Sequence, residues 1–340
     1  MSNIKKTNAI KILLLIFILF VSNSCSDRNA IHKFSGQTMG TTYNITIYKP
    51  TITQNELILL KEKVEFSLRK INDKMNPFDV ESEISKFNTH RSTTPFSISN
   101  EFYELITIAK EIFEKSNGIF DPTIVPLINY YGFGTTEEKH TNITETQIDS
   151  LKKITGFNKI LIGDHNLTKQ NSHLQLNLSA IAKGWGVDKI SQMLRQNGYE
   201  NFIVEIGGEI FASGLNNKQK WKLGIDTPEL NNLPGQKIQS VLSTTNKGVA
   251  TSGDYRNFYI KNGKRFSHLI NPRTFQPITH NLASVTIVAK NCTYADAIAT
   301  TAIVLGEKSG IKFVESIPNT EGYFISRVND EFIIKQTSGF

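Results

Sequence analysis

Residues 256–269 read RNFYIKNGKRFSHL. Asn262-Gly263 sits between two runs rich in apolar and long side chains. Both residues tolerate the positive φ that a two-residue type I′ turn demands. The stretch is therefore predicted as an antiparallel hairpin of strands 256–260 and 264–269. Working outward, strands are expected at 202–206, 209–213, 221–226, 239–245 and 283–289, and a second hairpin pairs 322–326 with 331–336. Residues 34–48 alternate through Tyr43, Ile45 and Ile47 and read as one further strand. Apolar residues at helical spacing place helices at 54–73, 100–116 and 179–196, the last two stopped by Asn117-Gly118 and Asn197-Gly198. Thr144 and Gln147 form a capping-box signature for a helix ending near Gly156. Further helices are expected at 293–305, before Gly306, and at 308–316. Helices and antiparallel strands alternate without a βαβ rhythm, repeat or linker, so the chain is predicted to be α+β, with one large domain over 34–340.

The composition, 39% hydrophobic and 20% charged over 340 residues, suits a globular protein with a full core. Three of the seven excess positive charges are Lys5, Lys6 and Lys11, and the rest are spread along the chain. No basic run with interleaved aromatics stands out, so nucleic-acid binding is not inferred. Lys5 and Lys6 precede an unbroken apolar run, residues 12–21, which is short of the ~20 residues needed to span a bilayer. Small and polar residues follow, ending in Ser24-Cys25. Residues 1–24 are thus expected to be a secretory signal peptide, and Val-Ser-Asn-Ser-Cys resembles a bacterial lipobox with Cys25 lipidated. Ordinary secretion, with Cys25 incidental, is the alternative. Residues 25–33 read as a tether. Cys292 is the only other cysteine, so no disulfide framework is expected.

Several segments carry chemistry. Asp296 and Thr300 are four residues apart on a helix of small residues and present two oxygens on one face. That pair can hold a hard cation such as Mg²⁺; an Asp near a helix N-terminus is also favoured by the helix dipole alone. The segment 178–188 places Ser179, small residues and Lys183 at a helix start, a pattern suited to phosphate and equally to a tightly packed helix with an exposed lysine. Aromatic loops occur at Asn76-Pro77-Phe78, at 118–123 and at 131–134. His268 lies at a strand end, where a lone histidine is either structural or a base.

Taken in order, these segments resemble the ApbE family, the FAD:protein FMN transferases. The matching pieces are TMGTTY (38–43), MNPF (75–78) leading to SEISKFN (82–88), GIFDPT (118–123), AIAKG (180–184), IGGE (206–209), TSGDY (251–255), Ser267-His268 and ADAIAT (295–300). The resemblance implies a T-fold-like α+β architecture of mixed and antiparallel sheets with flanking helices. It implies FAD contacts from Met39, Phe78, Ile119, Phe120, Asp121, Asn177, Lys183 and Ile270. It implies Mg²⁺ held by Ala180, through its carbonyl, with Asp296, Ala299 and Thr300, and it implies His268 as general base. Phe78 stands where the family often has Tyr. Asn177 and Asn271 replace common Asp residues, and Phe275 replaces a Gly.

The implied reaction is Mg²⁺-dependent transfer of FMN from FAD to a threonine or serine hydroxyl of a target flavoprotein, with release of AMP. The resemblance suggests as acceptors subunits of membrane redox pumps and other exported flavoproteins. It also agrees with a lipid-anchored protein facing the periplasm. A pyrophosphatase yielding FMN and AMP, or a lipoprotein that only binds flavin, are the alternatives.

Overall fold

The structure, a computed structural model, describes residues 30–134, 138–230, 232–255, 257–329 and 331–340. The expected signal segment, Cys25 and the first part of the expected tether lie outside the described residues.

Eight strands form one sheet: β1 (Ile31–Thr38), β2 (Thr41–Tyr48), β3 (Phe202–Ile206), β4 (Glu209–Ser213), β5 (Lys247–Gly253), β6 (Leu282–Ala289), β7 (Glu321–Val328) and β8 (Glu331–Gln336). Their spatial order follows the chain, and every neighbouring pair is antiparallel. The architecture is α+β, as expected. The other described helices and hairpins are inserted between neighbouring strands. Among the described residues six α-helices lie between β2 and β3: α1 (Gln54–Met75), α2 (Glu83–Thr89), α3 (Asn100–Lys115), α4 (Val125–Tyr130), α5 (Glu145–Lys153) and α6 (Ser179–Gln196). A hairpin of Trp221–Asp226 with Ile238–Thr244 lies between β4 and β5. The hairpin Phe258–Lys261 with Lys264–Ser267 separates β5 from β6. Helices α7 (Cys292–Leu305) and α8 (Glu307–Glu315) separate β6 from β7.

Local chemistry accounts for most boundaries. Thr53 with Glu56, and Thr144 with Gln147, form reciprocal capping boxes on α1 and α5. Asn262 and Gly263 take φ of 53° and 70°, so the predicted two-residue turn is present. Strand β6 is buried at all eight positions. Val285, Ile287 and Ala289 join the main helical core, while Val288 packs beneath the Trp221–Asp226 hairpin. A strand covered on both faces reads as a continuous apolar run rather than an alternating one.

Three expectations need correction. Residues 34–48 are not one strand: Met39 and Gly40, with φ of 50° and 71°, turn the chain into the β1–β2 hairpin. Residues 31–33, expected in the tether, belong to β1. The strand expected at 264–269 ends at Ser267, which leaves His268 in the following loop. Phe275, which the resemblance sets against a glycine, takes the left-handed conformation at φ 60°. Such a conformation costs an L-residue roughly 1–2 kcal/mol. Burial of its ring against Leu127, Tyr131 and Ile270, and a 2.9 Å hydrogen bond from the Tyr131 hydroxyl to its carbonyl, offset that strain.

Helix α7 packs between α6 and strands β5 and β6. The approach is close enough to exclude side chains: a Cβ on Gly184 would lie 2.3 Å from the Cys292 carbonyl oxygen, and one on Gly248 would lie 2.1 Å from the Asn291 carbonyl carbon. Gly184→Ala must therefore push α6 and α7 apart, with an expected loss of about 1–3 kcal/mol of stability. Chemical denaturation of the variant against wild type measures it.

Candidate active site

One cavity of about 630 Å³ opens where the β1–β2 turn, the β3–β4 turn, the end of β5, the first turns of α6 and one face of α7 converge. The loop after α1, the loop after α3 and the segment 268–270 complete its wall. Of the residues singled out from the sequence, Met39, Phe78, Ile119, Phe120, Asp121, Asn177, Ala180, Lys183, His268, Ile270, Asp296 and Thr300 all line it. Ala299 is fully buried in the core and does not line it.

The cavity has a polar end and an apolar end. At the polar end, Asp296 is 3% exposed and its Oδ2 accepts a 3.0 Å hydrogen bond from the Gly184 N–H. Burial pushes the Asp296 carboxyl pKa up, against the opposing charge of Lys183. Lys183 Nζ lies 2.6 Å from Glu209 Oε2. Burial works against the Lys183 charge, but Glu209 and Asp296 outweigh it and hold its pKa above the ordinary lysine value. Helix α6 starts without a side-chain N-cap. Its first residues, Ser179 and Ala180, line the cavity, so the positive end of the helix faces it. That end suits an anion. Asn177 Oδ1 accepts from the Ser179 N–H at 2.8 Å, which sets the angle at which the helix begins.

At the apolar end, Ile119, Phe120, Ile124, Ile128 and Phe133 form the wall. Phe78 stands at the mouth with 72% of its surface exposed. Asp121 is held by Thr123, whose N–H and hydroxyl both donate to Oδ1 at 2.8 and 2.5 Å, and burial raises its pKa.

His268 faces the cavity from the loop after the 258–267 hairpin. Its Nδ1 lies 3.0 Å from the Asn257 carbonyl oxygen. A carbonyl only accepts, so Nδ1 carries the proton and Nε2 keeps a free lone pair. Burial lowers the imidazole pKa below the ordinary 6.5, against the upward pull of the Asn257 carbonyl and the Asp254 charge. Asp254 itself is held by Arg327 at 2.9 and 3.0 Å and by Arg265 at 3.3 Å, and it does not line the cavity.

No cluster of three His, Cys, Asp or Glu side chains is assembled among the described residues. The oxygens of Asp296, Thr300 and Ala180 are nevertheless hard donors at one wall. The Ser252 hydroxyl, 3.2 Å from that of Thr300, orients the latter. Mg²⁺ keeps several waters and commonly takes phosphate oxygens, so a buried carboxylate with few further protein oxygens fits it.

The ApbE family model matches residues 39–324, which is most of the chain. This chain belongs to the ApbE family. Among curated relatives, the FAD:protein FMN transferase of Vibrio cholerae is 37% identical over 284 residues, covering 83% of this chain and 84% of that protein. The one from Haemophilus influenzae is 34% identical, covering 93% and 92%. Among solved structures, the flavin transferase ApbE from Vibrio cholerae has a TM-score of 0.81 at 34% identity, covering 91% of this chain and 98% of that one. The apo Pseudomonas stutzeri flavinyl transferase ApbE has the same TM-score at 29% identity and covers 91% and 95%.

Two departures from the ApbE pattern keep their local geometry. Asn271 Oδ1 accepts from the Arg273 N–H at 2.9 Å, and Asn177 accepts from Ser179, so each amide oxygen makes a turn bond that a carboxylate oxygen could make, without its charge. Sequence reasoning assigned no role to Glu209, Ser252, Asn257 or Phe133. Glu209 lay inside a quoted motif, but nothing in its residue type told of burial beside Lys183.

Asp188, one turn after Gly184 on α6, fixes the start of α7. Its carboxylate accepts from the Cys292 and Thr293 N–H groups at 2.9 and 2.8 Å, while Asn291 caps Tyr294. Asp188→Ala leaves both N–H groups without that partner and is expected to cost about 2–3 kcal/mol. Hydrogen exchange of the 292–296 amides should rise in that variant, and unchanged protection there would show that α7 starts without Asp188.

Proposed function

We propose that this chain is an enzyme that transfers FMN from FAD to a serine or threonine hydroxyl of an acceptor protein and releases AMP. The observation that carries this reading is the convergence, in one cavity, of a free imidazole nitrogen, a lysine and helix start suited to phosphate, an oxygen-lined wall and an aromatic mouth. The family relatives named FAD:protein FMN transferase support it. The apolar end and the exposed Phe78 ring suit an isoalloxazine, and the polar end suits the pyrophosphate.

In the reaction, the acceptor hydroxyl oxygen forms a bond to the FMN phosphorus. The bond from that phosphorus to the oxygen bridging to AMP breaks, and AMP leaves with the bonding electrons. His268 Nε2 receives the hydroxyl proton. Lys183 and the α6 N-terminus stabilise charge on the pyrophosphate as it develops. Asp296, Thr300 and the Ala180 carbonyl would hold Mg²⁺, which as a Lewis acid supplies further positive charge there. Water in place of the hydroxyl would give FMN and AMP.

The test is incubation with FAD, Mg²⁺ and a candidate acceptor, following AMP by chromatography and the acceptor by mass. AMP released in step with an acceptor mass gain of one FMN is expected. AMP without acceptor modification would make the chain a pyrophosphatase, and FAD bound without AMP would make it a binder.

His268→Ala is expected to retain FAD binding while slowing transfer roughly 10²–10⁴-fold, the usual worth of a positioned base. Since burial depresses the His268 pKa, the neutral base persists to more acidic pH than an ordinary histidine allows. The wild-type rate should therefore hold its plateau below pH 6.5 before falling, and the variant should lack that limb. An identical pH–rate profile for the two proteins would remove His268 from the chemistry.

The N-terminal pattern ending at Cys25 supports export and lipid anchoring to a bacterial membrane facing the periplasm, and the family resemblance suggests acceptors among membrane redox-pump subunits and other exported flavoproteins. Lipid chains beyond a single acyl group would anchor firmly. Cys25→Ser should move the protein to the soluble fraction or block its processing. Unchanged fractionation would contradict the anchor.

A further inference from the structure

Glu209 opens β4 directly after the Gly207-Gly208 turn, and it is 2% exposed. Its Oε2 is paired with the Lys183 ammonium at 2.6 Å and meets no other hydrogen-bond donor among the described residues. An ion pair with a buried carboxylate is a poor way to stabilise a fold, because desolvating that carboxylate consumes much of what the attraction to a 31% exposed Lys183 returns. An apolar pair would pack this corner at least as well. The arrangement therefore calls for a reason in the cavity that both residues line.

The reason lies in the neighbouring carboxylate. Lys183 is on α6 one residue before Gly184, whose N–H holds Asp296, and the charges of Glu209 and Asp296 both act on its ammonium. A lysine stem is flexible, and an ammonium with only Asp296 to face would pair with it. That pairing would neutralise the one carboxylate on the oxygen-lined wall and draw the ammonium off the phosphate path. In the structure the stem instead runs past the β3–β4 turn: a Cβ on Gly207 would lie 3.4 Å from Lys183 Cδ. Glu209 waits at the end of that path.

We propose that Glu209 is a positioning residue that holds the Lys183 ammonium at the pyrophosphate end of the cavity and keeps it off Asp296, so that Asp296 stays free for a divalent cation. The inference rests on the proposed transferase reading. It separates two tasks that one lysine between two carboxylates would otherwise confuse: Lys183 serves the phosphate, and Asp296 serves the metal.

The test uses full-length protein and two readouts: AMP release from FAD, and FAD binding by flavin fluorescence across a Mg²⁺ titration. Glu209→Gln preserves volume and removes the charge. It is expected to lower turnover at least tenfold and to raise severalfold the Mg²⁺ concentration that half-saturates the FAD signal. Glu209→Asp, which keeps the charge on a shorter stem, should recover part of both and serves as the probe should the Gln variant fail to fold. In a Lys183→Met background, Glu209→Gln should bring no further loss of turnover, since Glu209 acts through Lys183. A folded Glu209→Gln or Glu209→Asp protein with wild-type turnover and Mg²⁺ dependence would overturn the proposal. So would an equal loss from Glu209→Gln with and without Lys183. Wild-type protein that releases no AMP from FAD would instead overturn the parent reading.

Discussion

The contact on which the rest of the structure depends is the close crossing of α6 and α7. Gly184 lets the Cys292 carbonyl approach where any Cβ would collide, and Asp188 reaches across to hold the first N–H groups of α7. Gly248 of β5 admits the same helix start from the other side. The result is that Asp296, one turn into α7, stands at a fixed distance from Lys183, one residue before Gly184. Packed interiors transmit small displacements rather than absorbing them. A loosened crossing would therefore be felt at the cavity before it was felt in the fold.

Around that crossing the sheet acts as a frame. Its eight strands follow the chain in order, so each connection begins and ends on neighbouring strands. The long excursions then return to nearly the place they left. The β1–β2 turn, the β3–β4 turn and the end of β5 all contribute to the same cavity. The loops of the helical insertion, with Ile128 of α4, supply the apolar wall, and the loop after the hairpin between β5 and β6 supplies His268. Helices and strands thus carry Lys183, Glu209 and Asp296, while loops carry Phe78, Phe120 and Phe133 together with Asp121 and His268. Charge stabilisation needs exact placement; a flat ring at a mouth tolerates more movement.

The electrostatics of the polar end follow from burial. Glu209 and Asp296 are buried beside a partly exposed ammonium: both carboxylates raise the Lys183 pKa, while Lys183 pulls each carboxyl down against the upward push of burial. The site is rich in negative charge for a place where a pyrophosphate would bind. In the proposed reading a divalent cation would offset that excess at the hard oxygens of Asp296 and Thr300, although no group of three or more acidic, histidine or cysteine ligands exists among the described residues. His268 stands apart from this group, with its proton pinned to the Asn257 carbonyl and its other nitrogen left free.

Much of this was legible in the residues themselves. Helix limits at Thr144, Asn197-Gly198 and Gly306, and the turn at Asn262-Gly263, follow from local backbone chemistry that needs no partner. The motif order identified the family, and nearly all the residues it implied meet in one cavity. Local reasoning failed where the deciding partner was distant in sequence. Residues 34–48 alternate smoothly, and only the positive φ at Met39 and Gly40 reveals the hairpin that feeds the cavity. Phe275 occupies a glycine conformation because Tyr131, far upstream, holds its carbonyl. Glu209 stands in the IGGE stretch without a role of its own until burial beside Lys183 gives it one. A residue's backbone preference is set within a few neighbours, and the sequence determines it. The charge state and orientation of a side chain depend on what surrounds it, and only the packing of the whole chain decides that.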